Sequence, residues 1–92
     1  MSDLVKQVVI ETLAIYAGDR LPEQIEDLRA IENLGLDSMD GISVACELSI
    51  RLRVLIPDDQ NPLVDDINKR GRTVREIIEF VSKCAKLEEE FR

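Results

Sequence analysis

Histidine and tryptophan are absent from these 92 residues, and aromatics make up only 3%, as Tyr16, Phe80 and Phe91. Without histidine the commonest general base and the commonest nitrogen ligand for metals are both missing. With so few rings the core must be aliphatic. Two cysteines, Cys46 and Cys84, stand far apart with no CxxC spacing. Neither a disulfide framework nor a zinc site is expected from them. They read as small apolar side chains, buried in a reducing compartment. No apolar run approaches the ~20 residues of a membrane span, so membrane insertion is not expected and the chain is expected to be cytoplasmic.

Positive charge is also scarce. Lysine and arginine number 12 against 19 aspartates and glutamates, a net charge of −7. Nucleic acid binding needs a basic face, and anionic lipid would repel this chain, so neither is expected as a partner. The whole acidic excess lies in residues 1–50, while residues 51–92 balance. An electrostatic docking surface therefore belongs to the first half and suits a basic partner. The 45% apolar share is that of a folded chain. Its length suits a single domain over 1–92, with a core over 3–86 and a frayed tail over 87–92.

The spacing of Val5, Val8, Val9, Thr12, Leu13 and Tyr16 predicts an amphipathic helix from Asp3 to about Tyr16. Ser2 or Asp3 would cap it and Gly18 would end it. Residues 19–36 lack a sustained period, but Leu21, Ile25, Leu28, Ile31, Leu34 and Leu36 should pin this long connection to the core. A helical turn is expected at Pro22–Leu28. A second helix is expected from Asp37–Ser38 to about Arg53, with Asp37 as N-cap and Asp40 at the third helical position. Its buried stripe would be Met39, Ile42, Ala45, Cys46, Leu48 or Ser49, and Leu52. Gly41 is a weak point costing ~1 kcal/mol against alanine. Val54-Leu55-Ile56-Pro57 leaves the helix. Pro62 to about Asn68 is expected to form a short two-turn helix, ended by Gly71. Thr73 with Glu76 is a capping box, and Val74, Ile77, Ile78, Val81, Cys84 and Ala85 form the last helix stripe. The sum is an all-α, small four-helix bundle: three longer helices, one short third helix and a long first loop.

Ser38 is the residue with the most chemical promise. As a hydrolytic nucleophile it would need a base, and its sequence neighbours are carboxylates. Its position in a first helical turn, after Leu34-Gly35-Leu36, instead favours a phosphate on the exposed helix amides. From the local residues alone two readings stand, a phosphodiester attachment point or half of a capping pair. Asp58-Asp59 and Asp65-Asp66 lack a calcium-loop pattern and read as solvated acid pairs. Lys69, Arg70, Arg72 and Arg75 form a basic cluster whose expected role is to offset neighbouring acids.

Leu34-Gly35-Leu36-Asp37-Ser38-Met39-Asp40 resembles the attachment motif of acyl carrier proteins. Ile56-Pro57-Asp58 looks like the family's segment closing the second helix, and Thr73–Val81 is similar to its fourth helix. The likeness covers about residues 3–86. It implies a carrier without catalysis of its own. Ser38 would bear a 4′-phosphopantetheine arm, donated from coenzyme A by a phosphopantetheinyl transferase. Asp37, Met39, Asp40 and Glu47 would meet partners: ketosynthases, acyltransferases or ligases with basic docking patches. A monomer working in fatty-acid or polyketide-type chemistry is the expectation. The alternative for Asp40 and Glu47 is a solvated helix face. Ser43, Ser49, Ile50, Arg51 and Arg53 stand where the family's general members carry acids, which points to a specialised carrier. The alternatives are an aminoacyl or peptidyl carrier of the same fold, or an acidic helical adaptor whose Ser38 is never modified.

Overall fold

A computed structural model describes residues 3–18, 24–57 and 59–90, the last four by backbone alone. Helix α1 runs Asp3–Ala17 and stops at Gly18, whose φ of 70° reverses the chain where a side chain would be strained. Ser2 lies outside the described residues. Val9, Thr12 and Leu13 are buried as their spacing predicts, and Thr12 Oγ1 donates to Val8 O at 2.7 Å. Helix α2 spans Ser38–Leu52 and helix α3 Val74–Glu90; α1 packs against both. Val9, Leu13, Val44, Leu48, Leu63, Val74, Ile77 and Val81 are fully enclosed between them. Each such aliphatic side chain contributes roughly 1.5–3 kcal/mol relative to exposure.

The long connection is pinned as expected. Ile25, Ala30, Leu34 and Leu36 are buried, Leu28 and Ile31 are half-buried, and Leu21 lies outside the described residues. Backbone bonds tie it to the start of α3: Ala30 N to Arg72 O at 3.2 Å, Val74 N to Leu28 O at 2.9 Å and Arg75 N to Glu26 O at 2.9 Å. The helical turn expected at Pro22–Leu28 is reduced to one turn closed by Leu28 N on Ile25 O at 3.0 Å; residues 22 and 23 lie outside the described residues.

Two sequence expectations are corrected here. No short helix forms over 62–68. Val64–Asp65 (β1) pairs antiparallel with Arg70–Gly71 (β2), Val64 opposite Gly71 and Asp65 opposite Arg70. Side-chain oxygens intercept the amides a helix would have used. Asn61 Oδ1 accepts from Leu63 N at 2.9 Å, and Asp65 Oδ1 accepts from Ile67 N at 3.1 Å and Asn68 N at 3.2 Å. Asn68 Nδ2 also donates to Asp65 Oδ2 at 2.7 Å, and these bonds hold the Asp65 carboxyl below its ordinary range. Asp65 is therefore a turn-former rather than half of a solvated pair; Asp59 and Asp66 are exposed, and Asp58 lies outside the described residues. The described residues thus form three helices and a two-strand hairpin.

The second correction concerns α2. Gly41, Val44 and Leu48 face the core, with Ala45, Ser49 and Leu52 half-buried, while Met39, Ile42 and Cys46 are exposed. Two apolar lines run along this helix on opposite sides, and spacing alone does not rank them. Packing selects the line containing Gly41, and at that glycine the Asn61 side chain comes close to the helix. Of the two cysteines, Cys84 is buried, with its thiol pushed up by burial, whereas Cys46 is exposed rather than buried.

α3 begins as its sequence predicts. Thr73 N donates to Glu76 Oε1 at 2.9 Å, and Glu76 N donates to Thr73 Oγ1 at 3.2 Å. The basic cluster meets nearby acids and a ring: Arg70 reaches Glu76 at 3.3 Å, Arg75 pairs with Asp27, and Arg72 lies over the Phe80 ring at 4.2 Å. The Thr73 amide, seconded by Arg70 and Arg29, holds the Glu76 carboxyl below its ordinary range. A depressed folded-state pKa means stability present above the unfolded value and lost as pH falls through the folded one. Glu76→Gln is expected to lower stability at neutral pH and to flatten part of the loss on acidification below about pH 4.5, measured by urea unfolding across pH.

Candidate functional site

The N-terminus of α2 is fixed by two aspartates that cap each other's backbone. Asp37 is extended, with φ −110° and ψ 178°. Its Oδ1 accepts from Asp40 N at 2.8 Å, while Asp40 Oδ2 accepts from Asp37 N at 3.0 Å. This is the capping box read from the sequence, with aspartate in place of the usual glutamate. Both carboxylates also lie at the positive end of the helix dipole.

Ser38 is the first residue inside that box and is exposed. Its hydroxyl has no hydrogen-bond partner among the described residues. The N–H groups of Ser38 and Met39 belong to the first helical turn and have no intrahelical acceptor. A phosphate oxygen attached here would meet free donors. Met39, the next residue, projects into solvent.

A brace holds this turn from outside the helix. Asn61 Nδ2 donates to Ser38 O at 2.9 Å, while its Oδ1 is held by Leu63 N. A β-carbon built on Gly41 would stand 2.0 Å from that Oδ1. Gly41 is therefore a docking notch for the brace, and its cost in helix propensity is offset by the bonds it admits. Sequence reasoning missed Asn61. The available signal was an asparagine before Pro62 in a segment that must close over a helix containing a bare glycine.

Glu47 sits two turns further along α2 and is not a free carboxylate. Arg51 Nε donates to its Oε2 at 2.9 Å, and Arg51 Nη1 lies 4.0 Å from Glu11. The structure brings Asp37, Ser38, Met39 and Asp40 together at one tip and leaves Glu47 on the flank of the same helix. A groove of about 590 Å³ opens between α2 and the segment after it, lined by Ile42, Ala45, Cys46, Val54, Leu55 and Ile56 among others. Among the described residues no cluster of acids and cysteines is arranged to hold a metal ion, and no helix is long and apolar enough to cross a membrane.

The curated relatives of this chain include three that are named acyl carrier protein. One from Sulfurovum sp. (strain NBC37-1) is 32% identical over 80 residues, covering 86% of this chain and 91% of that protein. One from Rickettsia bellii (strain OSU 85-389) is 33% identical over 58 residues, 63% of this chain and 72% of the relative. One from Helicobacter hepaticus (strain ATCC 51449 / 3B1) is 29% identical over 77 residues, 84% of this chain and 87% of the relative. No family model and no solved structure matches.

The brace generates a sign reversal. Gly41→Ala gains about 1 kcal/mol of helix propensity. It displaces an Asn61 side chain whose two hydrogen bonds are each worth about 1 kcal/mol. A net loss of about 1 kcal/mol is expected by urea unfolding. In an Asn61→Ala background the clash is gone, and Gly41→Ala should then stabilise.

Proposed function

Because the chain belongs to the acyl carrier protein family, we propose that Ser38 is the attachment point of a 4′-phosphopantetheine arm and that the protein shuttles acyl groups between enzymes of fatty-acid or polyketide type. The observation that carries this reading is the exposed Ser38 hydroxyl, unpartnered among the described residues, at a helix tip whose first amides have no intrahelical acceptor. These residues fit a phosphodiester: the oxygen is accessible and the adjacent donors are free. The capping carboxylates leave room for it, because each is turned back onto backbone N–H.

When bound, the arm supplies a thiol that carries acyl groups as thioesters. The chain's own residues present the anchor and meet the enzymes. No basic side chain hydrogen-bonds the Ser38 hydroxyl among the described residues, which supports the reading of this serine as a substrate of a phosphopantetheinyl transferase rather than a self-activated nucleophile. Asp37 and Asp40 would steer cationic docking patches to the tip, and Met39 would add an apolar contact. Weak, fast docking suits a cytoplasmic carrier that every enzyme must release. The groove beside α2 is a candidate shelter for a carried chain, worth about 0.8 kcal/mol per buried methylene.

Incubating the pure protein with coenzyme A, magnesium and a broad-specificity phosphopantetheinyl transferase should add one arm by mass spectrometry, and Ser38→Ala should add none. An unchanged mass for the native chain would leave an unmodified acidic adaptor as the account. Loading by an adenylating amino-acid ligase, in preference to an acyl-transferring enzyme, would mark an aminoacyl carrier instead.

A further inference from the structure

The backbone of Ser38 is held from two directions. On its N-terminal side the capping box fixes the incoming peptide: the Asp37 side chain accepts from Asp40 N, and Asp37 O accepts from Gly41 N at 3.3 Å. On its C-terminal side the Ser38 carbonyl accepts from Asn61 Nδ2 at 2.9 Å, across 23 positions of sequence. Peptide units are planar, so fixing both planes fixes the direction in which the serine β-carbon leaves the chain. The freedom that remains is rotation of the hydroxyl about its own bond.

Asn61 is itself aimed. Its Oδ1 accepts from Leu63 N at 2.9 Å, which decides that the donor end of the amide meets Ser38. Pro62 is enclosed and anchors the chain beneath that amide. Gly41 leaves the space the amide occupies, since a β-carbon there would overlap it. The three residues form a device that points at one carbonyl.

We propose that Asn61 is a positioning residue for arm attachment, its bond to the Ser38 carbonyl aiming the hydroxyl for the transfer, with Gly41 bare so that the bond can form. The inference rests on the carrier reading and assigns part of the chemistry to a residue outside the helix that bears the anchor. In the transfer the Ser38 oxygen bonds to the pantetheine-bearing phosphorus of coenzyme A. The bond from that phosphorus to the bridging oxygen breaks, adenosine bisphosphate leaves with the electron pair, and the hydroxyl proton passes to the transferase. An attacking oxygen whose carbon is loosely held spends less time in line with the leaving group, although docking of the two proteins is unchanged.

The test follows transfer by mass on the full chain, with coenzyme A, magnesium and the same transferase, at a temperature where circular dichroism shows every variant folded. Asn61→Asp keeps an acceptor for Leu63 N and removes the donor to Ser38 O. It should lower kcat about fivefold and leave the KM for the carrier within about twofold. Asn61→Ala should show the same loss without the added charge, and Gly41→Ala should show it by displacing the amide. Gly41→Ala combined with Asn61→Ala should be no slower than either alone, and it separates aim from stability: the pair is expected to be more stable than Asn61→Ala and yet to stay slow. Should Asn61→Ala open the turn at Leu63, Asn61→Asp and Gly41→Ala still decide. Native rates in these variants, a defect confined to KM, additive losses in the pair, or recovery of rate with its stability would each overturn the inference and leave the carrier reading standing. A native chain that gains no arm strikes the carrier reading, and this inference with it.

Discussion

The reciprocal bond between Asp37 and Asp40 is the constraint on which the useful end of this molecule depends. It fixes where α2 starts, and so decides that Ser38, and not a neighbour, is the first residue of a helix. Two residues before it, Leu36 is buried and anchors the incoming loop. One residue later, the hydroxyl would sit a hundred degrees around the helix. Asn61 completes the constraint by holding the Ser38 carbonyl from the opposite segment. The tip is thus rigid in its backbone and open at its side chain, which is the arrangement a covalent anchor needs.

Charge is distributed by the same economy. Several acids away from the tip are answered: Lys6 holds Glu26 at 2.8 Å, Arg75 holds Asp27, and Arg70 and Arg29 face Glu76. The capping aspartates accept backbone N–H instead, which leaves their charge unneutralised. Beyond a Debye length of about 8 Å the acids elsewhere contribute little to steering. The two residues that build the helix start thus also place negative charge directly beside Ser38.

Local signals were legible in the sequence where one interaction decided the outcome. Both capping boxes, the stop at Gly18 and the α3 stripe follow from side chains that bond within a turn of themselves. The family likeness was legible too, through Leu34–Asp40 and the order of elements. What failed were the places where two solutions competed. Residues 62–68 have enough aliphatics for two helical turns, but Asn61 and Asp65 offer the backbone a different set of acceptors, and the hairpin also satisfies Arg72 N on Leu63 O at 2.7 Å. The facing of α2 was misread because its outer line, Met39–Ile42–Cys46–Ile50, is as apolar as its inner one. Tertiary packing separates them, through the burial of Val44 and Leu48 and the fit of Asn61 against Gly41.

That misreading carries physical information. A helix whose inner and outer lines cannot be told apart by hydrophobicity has been given more apolar surface than its own fold requires. Surplus of this kind destabilises the isolated chain in water only slightly, since exposed aliphatics are exposed in the unfolded state as well, but it raises the reward for transient contact. Were the outer line merely tolerated, its residues would gain nothing from being in register; instead they keep helical spacing from Met39 to Ile50, starting beside the Ser38 hydroxyl. A surface that begins at the anchor and runs the length of one rigid helix brings whatever docks on it to a fixed distance from that anchor. On the carrier proposal, recognition and delivery are set by the same helix, whose start is set by Asp37 and Asp40.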